Sequence, residues 1–199
     1  MDKQLIISIG REFGSGGHTL ANILAEKFGL EIYDKNILQE IANEKNVHVS
    51  NLEKYDEKPR NYFFTRSVKG HSNSMEENLA NMQFEFLRKK AAEGKSFIVV
   101  GRCAEHVLKD YPALISIFVL GDWEHKIKHV MEMYNVSANE AENIIYREDR
   151  KRKYYHNSYC KGKWGDSRNY DISVNSSKLG EEETAEILVD YINKRQNMR

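Results

Sequence analysis

The sequence predicts an α/β fold in which about five parallel strands form one sheet between two layers of helices. Five apolar runs of strand length recur along the 199 residues, at positions 5–9, 30–33, 97–100, 114–120 and 171–174. Helical patterns lie between the runs, and this alternation implies right-handed crossovers between parallel strands. We therefore expect ligands at the carboxyl ends of the strands, where a glycine-rich stretch follows the first run.

The first predicted strand runs directly into the glycine-rich sequence GREFGSGGHTL at residues 10–20, and an amphipathic helix follows. A turn of this kind presents backbone N–H groups to a phosphate at the helix N-terminus. The candidate phosphate ligands are Gly14, Ser15, Gly16, Gly17, His18 and Thr19. The same glycines also fit a tight strand-to-helix turn that needs positive φ angles and binds no ligand.

This loop lacks the usual lysine of a phosphate-binding loop. The motif G-x-x-x-x-G-K-[ST] places a lysine directly after its second glycine. When Gly16 is matched to that glycine, Arg11 stands at the first glycine and Gly17 at the lysine. Arg11 and His18 are the candidates for the missing charge, and we prefer Arg11 because histidine is only partly protonated near neutral pH.

Charged residues also follow two of the other predicted strands. Asp34 comes directly after the run at 30–33, and Arg102 follows the run at 97–100 after Gly101. Both are expected at the ligand-binding edge of the sheet. The alternative role for Asp34 is to cap the helix that follows it.

Two segments do not fit the sheet and are predicted to be additions to a single domain that spans 1–199. The first, at about 47–83, is polar and aromatic, contains Pro59 and leads into a longer helix at about 74–93. We interpret it as a helical insertion over one end of the sheet. Its aromatic residues either stack on a ligand's base or pack in the core; they include Tyr62, Phe63 and Phe64.

The second segment, at about 147–168, combines many cations with aromatic residues. Its residues of these two kinds are Arg147, Arg150, Lys151, Arg152, Lys153, Lys161, Lys163 and Arg168, with Tyr154, Tyr155, Tyr159 and Trp164. A capping box of Ser137 and Glu140 predicts the start of a helix that runs into this segment. A solvated basic helix end is the alternative interpretation. The rest of the domain, its core, is predicted at 1–46, 84–146 and 169–199.

Composition narrows the classes of function. Thirty basic and thirty acidic residues cancel, so no overall field favours nucleic acid or a membrane surface. Cys103 and Cys160 have no partners at metal-ligand spacing and are expected to be small packing residues. The chain shows no leader sequence and no apolar run of membrane-spanning length, so we expect a cytoplasmic protein.

The order of these motifs resembles that of the nucleoside monophosphate kinases, and most of all their cytidylate kinase-like branch. Bacterial cytidylate kinases have a glycine loop followed by Thr-Leu, an Asp after the second strand, a Gly-Arg pair after the third, and an R-x-D-R-x-R run in a lid. The corresponding residues here are 14–20, Asp34, Gly101-Arg102, and 147–152 with the sequence REDRKR. The match spans nearly the whole chain.

The resemblance implies a P-loop kinase-type three-layer fold with a helical acceptor-side insertion at 47–83 and an arginine-rich lid at 147–168. It implies an ATP- and Mg²⁺-dependent phosphotransferase that acts on a small nucleotide. Residues 14–19 would hold the donor phosphates, Thr19 and Asp34 would hold Mg²⁺ directly or through water, and Asp34 and Arg102 would bind the acceptor. Three lid arginines would close over the γ-phosphate together with Arg11; they are Arg147, Arg150 and Arg152.

Two departures from that family's pattern leave other functions open. The lysine is missing, and Lys35-Asn36 stands where the cytidylate kinases have Ser-Gly, so cytosine specificity does not carry over. A nucleotide sensor without catalysis would keep the amide loop and place Arg11 in solvent. An RNA or polyanion binder would use the basic and aromatic segment at 147–168. A sulfotransferase would leave the lid arginines unexplained.

Overall fold

Five parallel strands form the central sheet of the protein. The computed structural model describes residues 3–45, 48–56, 58, 67–68, 71–72 and 74–198. The sheet strands are β1 (Ile6–Arg11), β2 (Glu31–Tyr33), β5 (Phe97–Val100), β6 (Leu114–Leu120) and β7 (Ile172–Asn175). They lie in the order β2-β5-β1-β6-β7, and every neighbouring pair is parallel. The predicted α/β fold and its five strands are confirmed.

Helices connect the strands and cover both faces of the sheet. The helices are α1 (Gly17–Phe28), α2 (Asn36–Lys45), α3 (Val49–Glu53), α4 (Met75–Ala92), α5 (Ala104–Val107), α6 (Trp123–Tyr134), α7 (Ala138–Tyr159) and α8 (Gly180–Asn197). Short 3-10 turns precede and follow β7, at Ser167–Asn169 and Ser176–Lys178. A separate antiparallel pair consists of β3 (Ser67–Val68) and β4 (His71–Ser72). Within the described part of the chain, no helix is both long and apolar enough to span a membrane.

The alternation of side chains along β1 divides the core between the two faces. Ile6 packs in a cluster with residues of α2 and α4, such as Leu87. Ile7 and Ile9 point to the other face, where Leu24 of α1 and residues of α8 pack against them. Each of these side chains is fully buried, and burial of one such side chain stabilises the fold by about 1.5–3 kcal/mol. The continuous apolar strands therefore follow from burial on both faces.

The strand register brings the carboxyl ends of β1, β2 and β5 to one edge. Ile9 lies opposite Val100, and Tyr33 lies opposite Val99. The residues that follow these positions, including Arg11 and Asp34, therefore emerge at the same edge of the sheet. This edge carries the loop between β1 and α1.

The segments predicted to be additions are only partly helical where the structure describes them, because the segment at 47–83, predicted to be helical, also contains the antiparallel strand pair β3–β4. α3 lies in the segment at 47–83, and the Ser74 hydroxyl caps α4 by accepting a hydrogen bond from the Glu77 N–H. Tyr62, Phe63 and Phe64 lie outside the described residues. In the second segment, residues 147–159 continue α7, which the predicted Ser137–Glu140 capping box opens. The limits of insertion, lid and core stay a prediction.

Candidate functional site

The loop between β1 and α1 has the backbone shape of an anion-binding turn. Gly14 and Gly16 have φ angles of 78° and 71°, in the left-handed region that favours glycine. A Cβ at Gly16 would come within 2.5 Å of the Glu181 carboxylate, and one at Gly14 within 3.0 Å of Val130. Among the described residues, no side chain caps α1 at Gly16. The first amides of α1 are therefore available to an anion.

The side chain of Ser15 holds the loop in place. Its hydroxyl is buried and donates to the backbone carbonyls of Glu12 and Val119, at 2.9 and 3.1 Å. The His129 ring also makes a hydrogen bond to the Gly14 carbonyl, with Nδ1 at 3.0 Å. Only the backbone of Ser15 is thus placed to serve a ligand.

A buried lysine on α6 forms ion pairs that hold the same loop in place. The Lys126 ammonium lies 3.1 Å from the Glu12 carboxylate and 3.0 Å from that of Asp149 on α7. Asp149 also accepts a hydrogen bond from the Phe13 N–H at 2.6 Å. Burial raises the pKa of the Asp149 carboxyl, and the Lys126 ammonium opposes that shift. Lys126 could not be identified from the sequence, since it belongs to no motif and only its burial on α6 marks it.

The side chain of Arg11 lies across the floor of the site. Its Cβ is 2.6 Å from the position that a Cβ would take at Gly17, and its guanidinium contacts Gly101. Arg11 is half-buried and lines the main cleft. The guanidinium therefore extends from the loop toward the end of β5 and does not project into bulk solvent.

The loop, Arg11 and the end of β2 border a cleft of about 720 Å³, a volume typical of ligand pockets. Most of the residues predicted for the site line this cleft. The predicted residues that line the cleft are Arg11, Gly14, Ser15, Gly16, Gly17, His18, Thr19, Asp34 and Arg152. The His18 ring lies 3.6 Å from the Asp34 carboxylate. Thr19 and Asp34 offer the oxygen ligands that Mg²⁺ prefers, so this donor set fits that cation.

Arg102 lies deeper, behind the cleft. Gly101, Arg102 and Cys103 all have positive φ angles, of 76°, 57° and 54°, and such strained backbone persists only where surrounding contacts fix it. The Arg102 side chain is fully buried and forms an ion pair with Asp56, while its Nη2 is 3.9 Å from Asp34. It lines a second cavity of only about 30 Å³. Asp56 lies in the segment at 47–83 and belongs to no motif, so the sequence did not identify it.

The three predicted lid arginines do not share one location. Arg152 lines the cleft, donates from Nη1 to the Arg11 carbonyl at 3.3 Å and lies over the Phe13 ring. Arg147 is exposed and donates to Glu148, and Arg150 lies over the Tyr154 ring. Neither Arg147 nor Arg150 is among the residues that line the cleft. The structure thus brings one of the three to the phosphate loop.

Most aromatic residues of the segment at 147–168 pack into the protein. Tyr155 is buried, Tyr159 packs edge-on against Phe84, and Trp164 packs edge-on against Phe118. Tyr154 is about half exposed. This packing uses the rings that an RNA-binding surface would need for stacking on bases.

Comparison with known proteins agrees with this architecture. A cytidylate kinase of Methanococcus vannielii is 27% identical over 180 residues, which is 88% of this chain and 92% of that protein. The crystal structure of an uncharacterized protein from Eubacterium ventriosum is 40% identical, with a TM-score of 0.77 over 96% of this chain and 99% of that one. A shikimate kinase from Bacteroides thetaiotaomicron shares the fold, with 12% identity and a TM-score of 0.55 over 95% of this chain and 98% of that one.

The family comparison covers most of the elements described above. The model of the cytidylate kinase-like family matches residues 6–178, from the first residue of β1 to the end of the 3-10 turn after β7. This match includes the phosphate loop, both segments predicted to be additions, and every strand of the sheet. The chain belongs to the cytidylate kinase-like family.

Proposed function

We propose that the protein transfers the γ-phosphate of ATP, bound with Mg²⁺, to a nucleoside monophosphate. The observation that carries this proposal is the cleft of about 720 Å³ whose floor is a helix N-terminus and whose lining includes Arg11, Arg152 and Asp34. Phosphoryl transfer needs alignment of two substrates and neutralisation of the charge on the moving oxygens. The cleft offers amides, guanidinium groups and a carboxylate for these tasks.

The donor lies along the loop and α6. Backbone amides from Gly14 to Thr19 hold its phosphates, and the exposed apolar side chains of Met133 and Tyr134 at the cleft border receive its base. Mg²⁺, when bound, neutralises phosphate charge. Thr19 and Asp34 would hold it through their side-chain oxygens or through water.

Arg11 takes over the task of the missing lysine. Its guanidinium already extends from the loop toward Gly101 at the end of β5, and Arg152 donates a hydrogen bond to the Arg11 carbonyl. Two guanidinium groups at the same loop stabilise negative charge on the transferred group. This placement favours catalysis over the sensor, for which Arg11 was expected in solvent.

The acceptor approaches Arg102 from the side of Asp34. The cavity beside Arg102 has about 30 Å³, which is room for one or two waters but not for a phosphate group. Acceptor binding therefore requires Asp56 to release the guanidinium, so that the acceptor phosphate replaces the carboxylate. The cytidylate kinase relative makes CMP the first acceptor to test, although Lys35 and Asn36 differ from the pattern of those enzymes.

The test is an assay of the full chain with ATP and Mg²⁺ against a panel of nucleoside and deoxynucleoside monophosphates, with chromatography of the diphosphate products. We expect a diphosphate from one acceptor and about a 10²–10³-fold loss of kcat in Arg11→Ala, as for loss of one donor to a transition-state oxyanion. Arg88→Ala, an exposed arginine on α4, is the matched control and should keep full activity. ATP binding without product from any acceptor would contradict the proposal.

A further inference from the structure

A second cluster of reactive side chains lies outside the cleft, where α5 meets the end of α7. His156 Nε2 lies 2.7 Å from the Glu105 Oε1, and both side chains are about 95% buried. The Cys160 thiol lies 4.0 Å from the same oxygen and is buried too. A histidine, a carboxylate and a thiol are the three side-chain types that bind zinc.

We propose that Glu105, His156 and Cys160 form a binding site for a thiophilic divalent cation of the Zn²⁺ class. Their donor atoms all lie within 4.8 Å of one another. Tetrahedral zinc with ordinary bond lengths requires about 3.3 Å between nitrogen and oxygen ligands and about 3.6 Å between sulfur and oxygen ligands. The observed distances of 2.7 and 4.0 Å lie on either side of these values, so side-chain shifts of well under an ångström suffice.

The backbone already places the ligands for this task. His156 lies in the last turn of α7, and Cys160 directly follows the helix, with its backbone N–H donating to the His156 carbonyl. Glu105 comes from α5, directly after the strained turn at Arg102 and Cys103. Because two fixed elements supply the ligands, little ordering remains for the cation to impose.

A cavity of about 160 Å³ gives the cation an entry path and an open position. Glu105, His156 and Cys160 all line it, together with His106 and Lys109. The open position leaves room for a water as the fourth ligand. Lys109 is exposed, so its ammonium can turn to solvent.

Binding replaces protons by the cation. The bound ligands are a neutral imidazole, a thiolate and a carboxylate, so the thiol proton and any extra imidazole proton pass to solvent. The cation would then join the end of α7 to the turn that carries Arg102. It would fix the position of that guanidinium beside the acceptor.

The test uses the full chain, purified with chelator and reductant and then titrated with Co²⁺ as a coloured substitute for Zn²⁺. We expect one Co²⁺ per chain with thiolate-to-cobalt absorption, displacement of that absorption by Zn²⁺, and a Tm that rises with Zn²⁺ concentration. Cys160→Ser should abolish the absorption, and Cys103→Ser should keep it.

A second group of possible ligands provides the control. His125, His129 and Glu181 also lie within 4.8 Å of one another but contain no sulfur, so His125→Ala should leave the thiolate absorption unchanged. Retention of the absorption in Cys160→Ser would overturn the proposal. If that variant does not fold, the wild-type chain decides, because a titration without thiolate absorption overturns the proposal by itself.

Discussion

Replacement of Lys126 by methionine tests how the phosphate loop is held. The change keeps most of the aliphatic stem and removes the ammonium that lies about 3 Å from both Glu12 and Asp149. The two carboxylates then face each other across the loop without their shared cation. We expect the protein to lose stability and the hydrogen bond from the Phe13 N–H to the Asp149 carboxylate to weaken.

The expected magnitude follows from burial. The Lys126 side chain is 5% exposed, while those of Glu12 and Asp149 are 29% and 19% exposed. Removal of one partner from a fully buried ion pair costs about 3–5 kcal/mol. The partial exposure of the two carboxylates lets water stabilise them, so we expect a smaller loss of about 2–3 kcal/mol in the free energy of unfolding.

Equilibrium urea unfolding of the full chain measures this loss, with Lys194→Met as the matched control. Lys194 pairs with Asp190 on the surface of α8, where both side chains are more than 60% exposed, and its removal should cost less than about 0.5 kcal/mol. A double-mutant cycle with Asp149→Asn should show coupling of about 1 kcal/mol or more. Equal losses for Lys126→Met and Lys194→Met would refute the argument that Lys126 anchors the loop.

Two further predictions concern α7 and the turn after β5. Ser137→Ala should destabilise the protein by about 1 kcal/mol in urea unfolding. The Ser137 hydroxyl also donates to the Glu140 carboxylate and lowers the pKa of Glu140, so this part of the stabilisation is present above the unfolded pKa and is lost as pH falls through the folded pKa; a difference that grew in acid would contradict this. Gly101→Ala should lower the thermal stability of the protein more than Gly94→Ala. Both glycines have φ near 75°, but only a Cβ at Gly101 would clash with Arg11. Calorimetry of the two variants measures the difference, and equal losses would contradict the clash.

The fold could be predicted because its signals are local. Each strand of the sheet coincides with a short apolar run whose pattern is visible within three to seven residues, and the three central strands β1, β5 and β6 are almost entirely buried. The start of α7 was equally accessible, since Ser137 and Glu140 form their capping box within one turn. These features need no knowledge of distant parts of the chain.

The contacts of the candidate site are mostly not local, and this limited what sequence could predict. Lys126 and Glu12 are 114 residues apart, and Arg102 and Asp56 are 46 residues apart. No spacing rule connects such residues before the sheet is assembled. The loop glycines were recognisable because their function depends on adjacent backbone amides.

The arginines of α7 show a second reason why the sequence could not predict the whole site. At about 100° per residue, Arg147 and Arg150 lie on neighbouring faces of a helix, while Arg152 points about 160° away from Arg150. A lid interpretation treated the three as one group because it assigned them to a mobile segment. Because α7 is continuous, the three arginines point in different directions around its axis. The rotational orientation of the helix therefore decides which arginine reaches the cleft.

The length and continuity of α7 have a mechanical consequence. Asp149, Arg152 and His156 lie three and four residues apart, on one stripe of a 22-residue helix. Along about 10 Å of this rod, the stripe contacts first the loop backbone, then the cleft, then Glu105. Since no break in the helix separates these contacts, α7 fixes the spacing of the loop backbone, the cleft and Glu105 along one line.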